Sequence, residues 1–256
     1  MKKILPILIS CFLLINYSIR AQGGKKGTVW FDLGAKGGVG TTWLMNSNVF
    51  NDGYLEHNFT FGGCAGVKAG FNITNIFEIT GDGLYSFFNQ NYSGNDTSLN
   101  VSWNTKVNMK AWDIPVLLRL NLSGAYIEMG PQFSIISGVS ESHSGNFIGV
   151  ERGDVTNAFN HSYMSGVFGF GRWVGTGIDN FNMALGLRFM YGFGDILSDS
   201  GGKDNNVHFP DNDPTFPVVY DSYAPTNPFS AQFMIEFNWD LAYLINRTVC
   251  HRTTGR

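Results

Sequence analysis

Along residues 230–241, Ser-Ala-Gln-Phe-Met-Ile-Glu-Phe-Asn-Trp-Asp-Leu, apolar and polar side chains alternate. Ala231, Phe233, Ile235, Phe237, Trp239 and Leu241 share one face, and Ser230, Gln232, Met234, Glu236, Asn238 and Asp240 share the other. A strand repeats its side chains every two residues and gives this pattern; a helix does not. The same alternation recurs upstream, each time ended by a turn or a polar loop.

A first strand, about Thr28 to Trp43, sets Val29, Phe31, Leu33, Ala35 and Val39 against Asp32, Gly34, Lys36 and Gly38, and a polar loop follows from about Met45 to Glu56. A second, about Asn58 to Ile73, sets Phe59, Phe61, Ala65, Val67, Ala69 and Phe71 against Thr60, Cys64 and Lys68, ending in a short turn at Thr74-Asn75. The third, about Ile76 to Phe88, opposes Phe77, Ile79, Tyr85 and Phe87 to Glu78, Thr80 and Asp82; a loop then covers Asn89 to Asn100. The fourth alternates most clearly, with Trp112, Ile114, Val116, Leu118, Leu120 and Leu122 opposite Asp113, Pro115, Leu117, Arg119 and Asn121. Ser123-Gly124 is a tight hairpin signal. The fifth strand, Ala125 to Gly138, puts Ile127, Met129, Phe133 and Ile135 opposite Glu128, Gln132 and Ser134, and a long loop spans about Val139 to Asn160. The sixth, about Ser162 to Gly177, is glycine-rich and its facing is ambiguous at Arg172-Trp173. After a short turn at Asp179-Asn180, the seventh, about Asn182 to Gly194, sets Met183, Leu185, Leu187, Phe189, Tyr191 and Phe193 against Asn182, Gly186 and Arg188. The longest loop, about Ile196 to Pro228, precedes the eighth.

Composition decides which face looks inward. A soluble sandwich carries a charged outer face, but this chain is only 14% charged and 15% aromatic. Apolar side chains outside against lipid and polar ones inside are the pattern of a transmembrane β-barrel. The turns agree: short ones follow strands two, four and six, and long ones follow one, three, five and seven. The expectation is an all-β fold, an eight-stranded antiparallel transmembrane β-barrel with short periplasmic turns and long extracellular loops. A lipocalin-like carrier is disfavoured, because its interior would be the apolar face.

The N-terminus points the same way. Met1-Lys2-Lys3 is a short basic start, Ile4 to Ile15 is nearly all apolar, and Ile19-Arg20-Ala21 offers a small residue before Gln22. This reads as a secretory signal peptide over residues 1–21, with the barrel over 22–245 and a polar tail over 246–256. Leu8-Ile9-Ser10-Cys11 offers lipoprotein acylation as an alternative, weakened because the apolar run continues past Cys11. Cleavage removes Lys2, Lys3 and Arg20 from the 17 basic residues and nothing from the 20 acidic ones, leaving a formal charge near −6. That balance argues against a nucleic-acid partner. Cys11 leaves with the leader, Cys64 reads as a small wall residue and Cys250 falls in the tail, so no disulfide framework is expected.

Parity assigns Asp32, Lys36, Lys68, Glu78, Asp82, Asp113, Arg119, Glu128, Arg188, Glu236 and Asp240 to the interior. An eight-stranded bore is only wide enough to be filled by side chains. Unpaired charges there would be costly, so these residues are expected to form a salt-bridge network that plugs the barrel. The alternative is a proton or ion path, or a gate that swaps partners between Arg119 or Arg188 and Glu78, Glu128 or Glu236.

Catalysis finds little support. His143, His161 and Ser165 near the fifth and sixth strands, and Asp211 and Asp213 in the last loop, show no spacing of nucleophile, base and orienting group. His57, His143, His161, His208 and His251 are scattered without metal-ligand spacing. Asp199, Asp204, Asp211 and Asp213 make the last loop acidic, read as a solvated loop with casual calcium binding as the alternative. Gly34-Ala35-Lys36-Gly37-Gly38-Val39-Gly40-Thr41-Thr42 superficially resembles a phosphate-binding loop but lacks its spacing and following helix, and curved barrel strands account for the glycines. No catalytic, cofactor or metal site is expected. Phe147, Phe159, Phe209, Phe216, Tyr220 and Tyr223 place aromatics in loops 139–160 and 196–228, where they either dock a protein or glycan partner or fold over the barrel mouth.

The glycine-rich first hairpin, Trp112-Asp113-Ile114-Pro115-Val116-Leu117-Leu118-Arg119, Ala125-Tyr126-Ile127-Glu128-Met129-Gly130-Pro131-Gln132 and Leu185-Gly186-Leu187-Arg188-Phe189 together resemble the PorT-like bacterial outer-membrane β-barrel family. The resemblance spans the mature chain. It implies an OmpA/OmpX-like eight-stranded barrel in the outer membrane, surrounded by lipid and inserted by the barrel-assembly machinery. It also implies a secretion-associated role, since the family's namesake serves the type IX pathway. One departure is the tail Asn246 to Arg256, where such barrels commonly stop at a terminal aromatic; Phe237, Trp239 and Tyr243 are the candidate assembly signal.

Overall fold

The structure is a computed structural model that describes residues 29–51, 55–96, 100–145, 153–199 and 223–243. The expected leader and tail lie outside the described residues, as do Phe147, Phe209, Phe216, Tyr220 and the acidic residues Asp204, Asp211 and Asp213.

In chain order the elements are β1 (Trp30–Asn46), α1 (Ser47–Asn51), β2 (Leu55–Asn58), β3 (Phe61–Asn72), β4 (Phe77–Asp96), β5 (Val101–Leu122), β6 (Ala125–Gly145), β7 (Gly153–Asp154), a 3-10 turn (Thr156–Ala158), β8 (Ser162–Gly175), β9 (Phe181–Gly192) and β10 (Thr226–Tyr243). Eight of the strands each pair antiparallel with two neighbours, in the ring order β1, β3, β4, β5, β6, β8, β9, β10. β10 pairs back onto β1 from Trp30↔Tyr243 to Asn46↔Thr226, closing the sheet. Closure satisfies the backbone groups that an open edge would expose to lipid. The short β2 and β7 sit on the flanks of β4 and β6. Among the described residues no helix is long and apolar enough to cross a membrane; the chain crosses with strands.

Three tight connections mark one end of the barrel, which also holds the outer ends of β1 and β10. The β3–β4 turn is pinned by Thr74 Oγ1, which accepts from the backbone N–H of Ile76 and Phe77. Gly124 in the β5–β6 hairpin and Asn180 in the β8–β9 turn have positive φ, 92° and 58°. Gly and Asn are the residues that tolerate this region.

The alternation holds as expected around the lower barrel. On β5, outward Trp112, Ile114, Val116, Leu118 and Leu122 are exposed while Asp113, Leu117 and Arg119 are buried. That run of 11 outward-to-inward residues matches the about 9–11 a tilted strand needs to span the hydrocarbon. Aromatic pairs rim both sides of the belt: Tyr85–Trp112 (5.0 Å) and Trp43–Phe229 (6.5 Å) toward the loops, Phe31–Phe71 (4.9 Å) and Phe181–Trp239 (4.7 Å) toward the turns. Such rims suit the membrane–water interface.

Several expected boundaries move. The loop drawn over 89–100 is in large part strand, because β4 runs on to Asp96, and the loop drawn over 139–160 begins as strand, because β6 runs on to Gly145; β5 already starts at Val101. Beyond Trp112 the sense of the alternation inverts. Outward positions become Asn104, Lys106, Asn108 and Lys110, while Trp103, Val107 and Met109 are buried inside. Above the belt the sheet meets water, so polar outside and apolar inside is the stable arrangement, and a search for apolar outward residues loses the strands there. A bulge also shifts β6 against β5 between Lys110 and Ala111. Ser137, whose hydroxyl donates to the Lys110 carbonyl (3.1 Å), is the extra residue, and it leaves Ile136 and Val139 both buried. The expected loop 45–56 likewise holds the end of β1, α1 and part of β2.

The interior is therefore not uniformly polar. Its loop half is an apolar core that includes Leu44, Phe88, Val107, Met109, Ile136, Val139 and Met190. Val49 of α1, Val155, Phe159, Ile196 and Leu197 are buried over the mouth as part of the same cluster. Backbone bonds hold this cover: Val155 N–H to Val139 O (2.9 Å), Asn160 N–H to Ile196 O (2.7 Å) and Ile196 N–H to Thr226 O (3.0 Å). The Asn160 amide also donates to the carbonyls of Asp195 and Leu197.

Candidate functional site: an ion network across the bore

Below the apolar half, side chains from the whole ring converge. β1 supplies Asp32 and Lys36, β3 Lys68, β4 Glu78 and Asp82, β5 Arg119, β6 Tyr126 and Glu128, β8 Trp173, β9 Arg188 and β10 Glu236. Each charged one is inward by strand parity, and each is buried, Arg119 to 0% and Glu236 to 1% exposure.

Glu236 is the hub. Its carboxylate accepts both Nη atoms of Arg119 (2.8 and 2.7 Å) and the Asn238 amide (2.7 Å). It also lies 3.1 Å from Lys36 Nζ and 3.0 Å from Lys68 Nζ. Arg119 meets Glu128 through Nε (3.2 Å) and Nη2 (2.7 Å). Arg188 donates to the other oxygen of Glu128 (3.0 and 2.7 Å) and to Asp82 (3.0 Å). Lys36 bonds Asp82 (3.0 Å), and Lys68 bonds Asp32 (3.1 Å) and Glu78 (2.5 Å).

Ring order gives these contacts their meaning. Arg119 on β5 and Glu236 on β10 stand four strands apart in a ring of eight, on opposite walls. Arg188 and Asp82, on β9 and β4, are likewise opposite, and so are Lys36 and Glu128, on β1 and β6, at 3.7 Å. Direct ion contacts therefore cross the full diameter of the bore. The guanidinium of Arg119 is further held over the Tyr126 ring (4.4 Å) and near the Trp173 ring (5.6 Å). Trp173 Nε1 donates to Asn121 Oδ1 (3.0 Å), and the Asn121 amide donates to Glu78 (3.1 Å).

Small residues make the room. A Cβ on Gly171 would meet the Tyr126 ring at 2.6 Å and the Leu185 carbonyl closer still, and one on Gly169 would meet the Glu128 side chain at 3.0 Å. Glycine suits both positions because side chains and backbone of the neighbouring strands approach closely.

Two of the parity-assigned residues stand apart from the cluster. Asp113 lies nearer the apolar half and is bonded by the hydroxyls of Ser86 and Ser134, the latter at 2.6 Å, rather than by a base. Asp240 is only half-buried at the turn end, where it pairs in register with Asp32 and its N–H donates to Asn180 O (2.9 Å). Tyr126 and Trp173 were not anticipated. Tyr126 shares the parity of Glu128, which was signal enough; for Trp173 the structure resolves the ambiguity, with Trp173 turned inward. A space near the network, beside Cys64, Asp113, Gln132 and Arg188, is about 10 Å3, room for about one water molecule.

The other sequence candidates do not gather. Ser165 is buried in the wall while His161 is exposed. His143 contacts Thr105 (2.9 Å) and Glu141 (3.4 Å) near the loop end. Among the described residues no cluster of His, Cys, Asp and Glu could hold a metal ion. Phe159 is buried in the mouth, and Tyr223 is partly exposed with its hydroxyl on Asp195.

A closed antiparallel ring with an apolar outer belt and a charged, filled interior defines a transmembrane β-barrel. The chain belongs to the outer membrane protein beta-barrel domain family, whose model matches residues 21–198, and its place is the outer membrane. No curated protein matches it. Among solved structures it is similar to OprG from Pseudomonas aeruginosa (11% identity, 85% of this chain and 98% of that one, TM-score 0.37). Others are Neisserial surface protein A (11%, 80% and 95%, 0.35) and the attachment invasion locus protein Ail of Yersinia pestis (8%, 84% and 99%, 0.32).

Proposed function

We propose that this protein is a non-conducting outer-membrane barrel that serves as a structural accessory to secretion or envelope assembly, without catalytic activity of its own. The observation that carries the reading is the set of ion contacts spanning the bore diameter, Arg119–Glu236 above all, beneath a layer rich in buried apolar side chains. An ion entering such a bore would have to displace several paired charges from a poorly solvated site, at a cost of several kcal/mol. The likeness of the strand motifs around Trp112–Arg119 and Ala125–Gln132 to PorT-like barrels favours the secretion side. Export through a leader cleaved after Ala21 belongs to the same reading, and N-terminal sequencing of the membrane form should begin at Gln22.

The test of the lumen is electrical. The refolded full chain in planar bilayers should be silent; steady, charge-selective currents that change in Arg119→Ala or Glu128→Ala would replace this reading with a channel. The accessory role is tested in cells lacking the chain, where a secreted reporter should accumulate inside and be released again on complementation. Unchanged secretion would remove that part of the proposal.

A further inference from the structure

Beyond the membrane belt, β4, β5 and β6 continue together as a projecting sheet, and its outer face is made of amides, hydroxyls and two lysines. Lys106 and Lys110 point outward from β5 and are exposed. In register, Lys106 is flanked by Asn91 and Ser142, Asn108 by Asn89 and Ser140, and Asn104 by Ser93 and Ser144. Lys110 is one inward-facing residue from Trp112, which pairs with Tyr85 in the aromatic rim.

The placement of charge is selective. Among the described residues Lys36, Lys68, Arg119 and Arg188 are consumed inside the bore, and Lys106 and Lys110 are the Lys or Arg side chains of the loop half that face out. Neither forms an ion pair among the described residues. The acids of this face stand off to the sides: Glu56 pairs with Ser93 from β2, and Asp154 pairs with Ser140 from β7. Each is two strands from the lysine row, about 10 Å. Asp154 is moreover occupied by the N–H and hydroxyl of Thr156 (2.9 and 2.6 Å).

Two lysines whose Cα atoms stand about 13 Å apart along a strand, set in a field of hydrogen-bonding amides and hydroxyls just above a lipid belt, match one chemistry. We infer that this face binds the phosphorylated disaccharide headgroup of an outer-leaflet glycolipid, with Lys106 and Lys110 each taking a phosphate and the flanking Asn and Ser side chains bonding sugar hydroxyls. The belt supplies the continuity: acyl chains packed against Trp112, Ile114 and Val116 place their headgroup beside Lys110. Ammonium groups at a membrane surface attract anionic headgroups, and amides bond sugars without needing charge.

Diphosphoryl lipid A is the probe. The full chain is reconstituted in phosphatidylcholine nanodiscs doped with it, and lipid retained on the barrel after detergent extraction is measured by native mass spectrometry. Wild type should retain it, and the double substitution Lys106→Gln with Lys110→Gln should bind about thirtyfold more weakly. Wild type should hold phosphate-free lipid A no better than that variant holds the phosphorylated form. Equal retention by variant and wild type, or of both lipids by wild type, overturns the inference. Equal binding of a soluble diphosphorylated disaccharide would assign the face to free glycan and overturn it as well. Folding of the variant is read from its heat-modifiable gel shift, and the comparison of two lipids on wild type decides the matter if it does not fold. A barrel silent in planar bilayers yet indifferent to phosphate would lose this inference and keep the proposed function.

Discussion

Replacing Glu236 with alanine removes a carboxylate that three buried cations share, each within 3.1 Å. Arg119 sits at 2.7–2.8 Å from it, Lys68 at 3.0 Å and Lys36 at 3.1 Å. At an effective dielectric of about 20, a unit pair at about 3 Å attracts by roughly 5–6 kcal/mol, but most of each attraction offsets the cost of removing the ions from water. The net loss is set by what remains. Arg119 keeps Glu128, Lys36 keeps Asp82, and Lys68 keeps Asp32 and Glu78, so the loss is that of one partner removed from a buried ion pair, Arg119–Glu236, about 3–5 kcal/mol. Urea unfolding in detergent micelles, followed by tryptophan fluorescence, should show a lower midpoint with an unchanged slope. The double variant Glu236→Ala with Arg119→Met should recover at least about 1 kcal/mol, because it removes charge on both sides. A Glu236→Ala midpoint within about 0.5 kcal/mol of wild type, or a double variant that merely adds the two losses, would refute the idea that the bore is held by mutual compensation.

Packing around the network is equally restrictive: Gly171→Val drives a side chain into the Tyr126 ring and the Leu185 carbonyl and should cost about 1–3 kcal/mol or more, read as a loss of the compact, fast-migrating form on unheated gels. At the loop end His57 is packed between Phe50 (4.5 Å) and Tyr92 (5.0 Å), and burial lowers its imidazole to about 4. Its folded value lies below the unfolded one, so the unfolded segment takes up the proton first and local stability falls as pH drops from about 6.5 toward 4. Hydrogen exchange along β2 should accelerate in that window in wild type and much less in His57→Phe; identical pH profiles would show that His57 is not the group responsible.

Sequence legibility followed the solvent. Where lipid lies outside, as from Trp112 to Leu122, alternation located the strand, its facing and the inward Asp113 and Arg119 without help. Where water lies outside, at Asn104 to Lys110 and Asn89 to Asn95, the same two-residue period was present with its sense reversed; the first stretch was assigned to no strand and the second was read as a loop. The apolar lining of the upper bore escaped notice for that reason, since Val107 and Met109 look like ordinary core residues only once Lys106 and Asn108 are known to face water. The Ser137 bulge carried no signature, because an extra residue in a strand announces itself only through its partner's register.

Parity is a local property of a strand, so the chain alone determined which charges point inward, and the run of turns determined that the strands form an up-and-down antiparallel series. Which inward charges meet was decided by the closed ring. Arg119 and Glu236 are 117 residues apart in sequence, and their contact depends on β5 and β10 standing on opposite walls at one height, a relation set by strand order and stagger together. The separation of Asp113 and Asp240 from the hub has the same origin. Both share the inward parity, but their heights along the barrel put one among serine hydroxyls beneath the apolar half and the other at the turn-end rim, and height in a barrel is a property of the whole sheet.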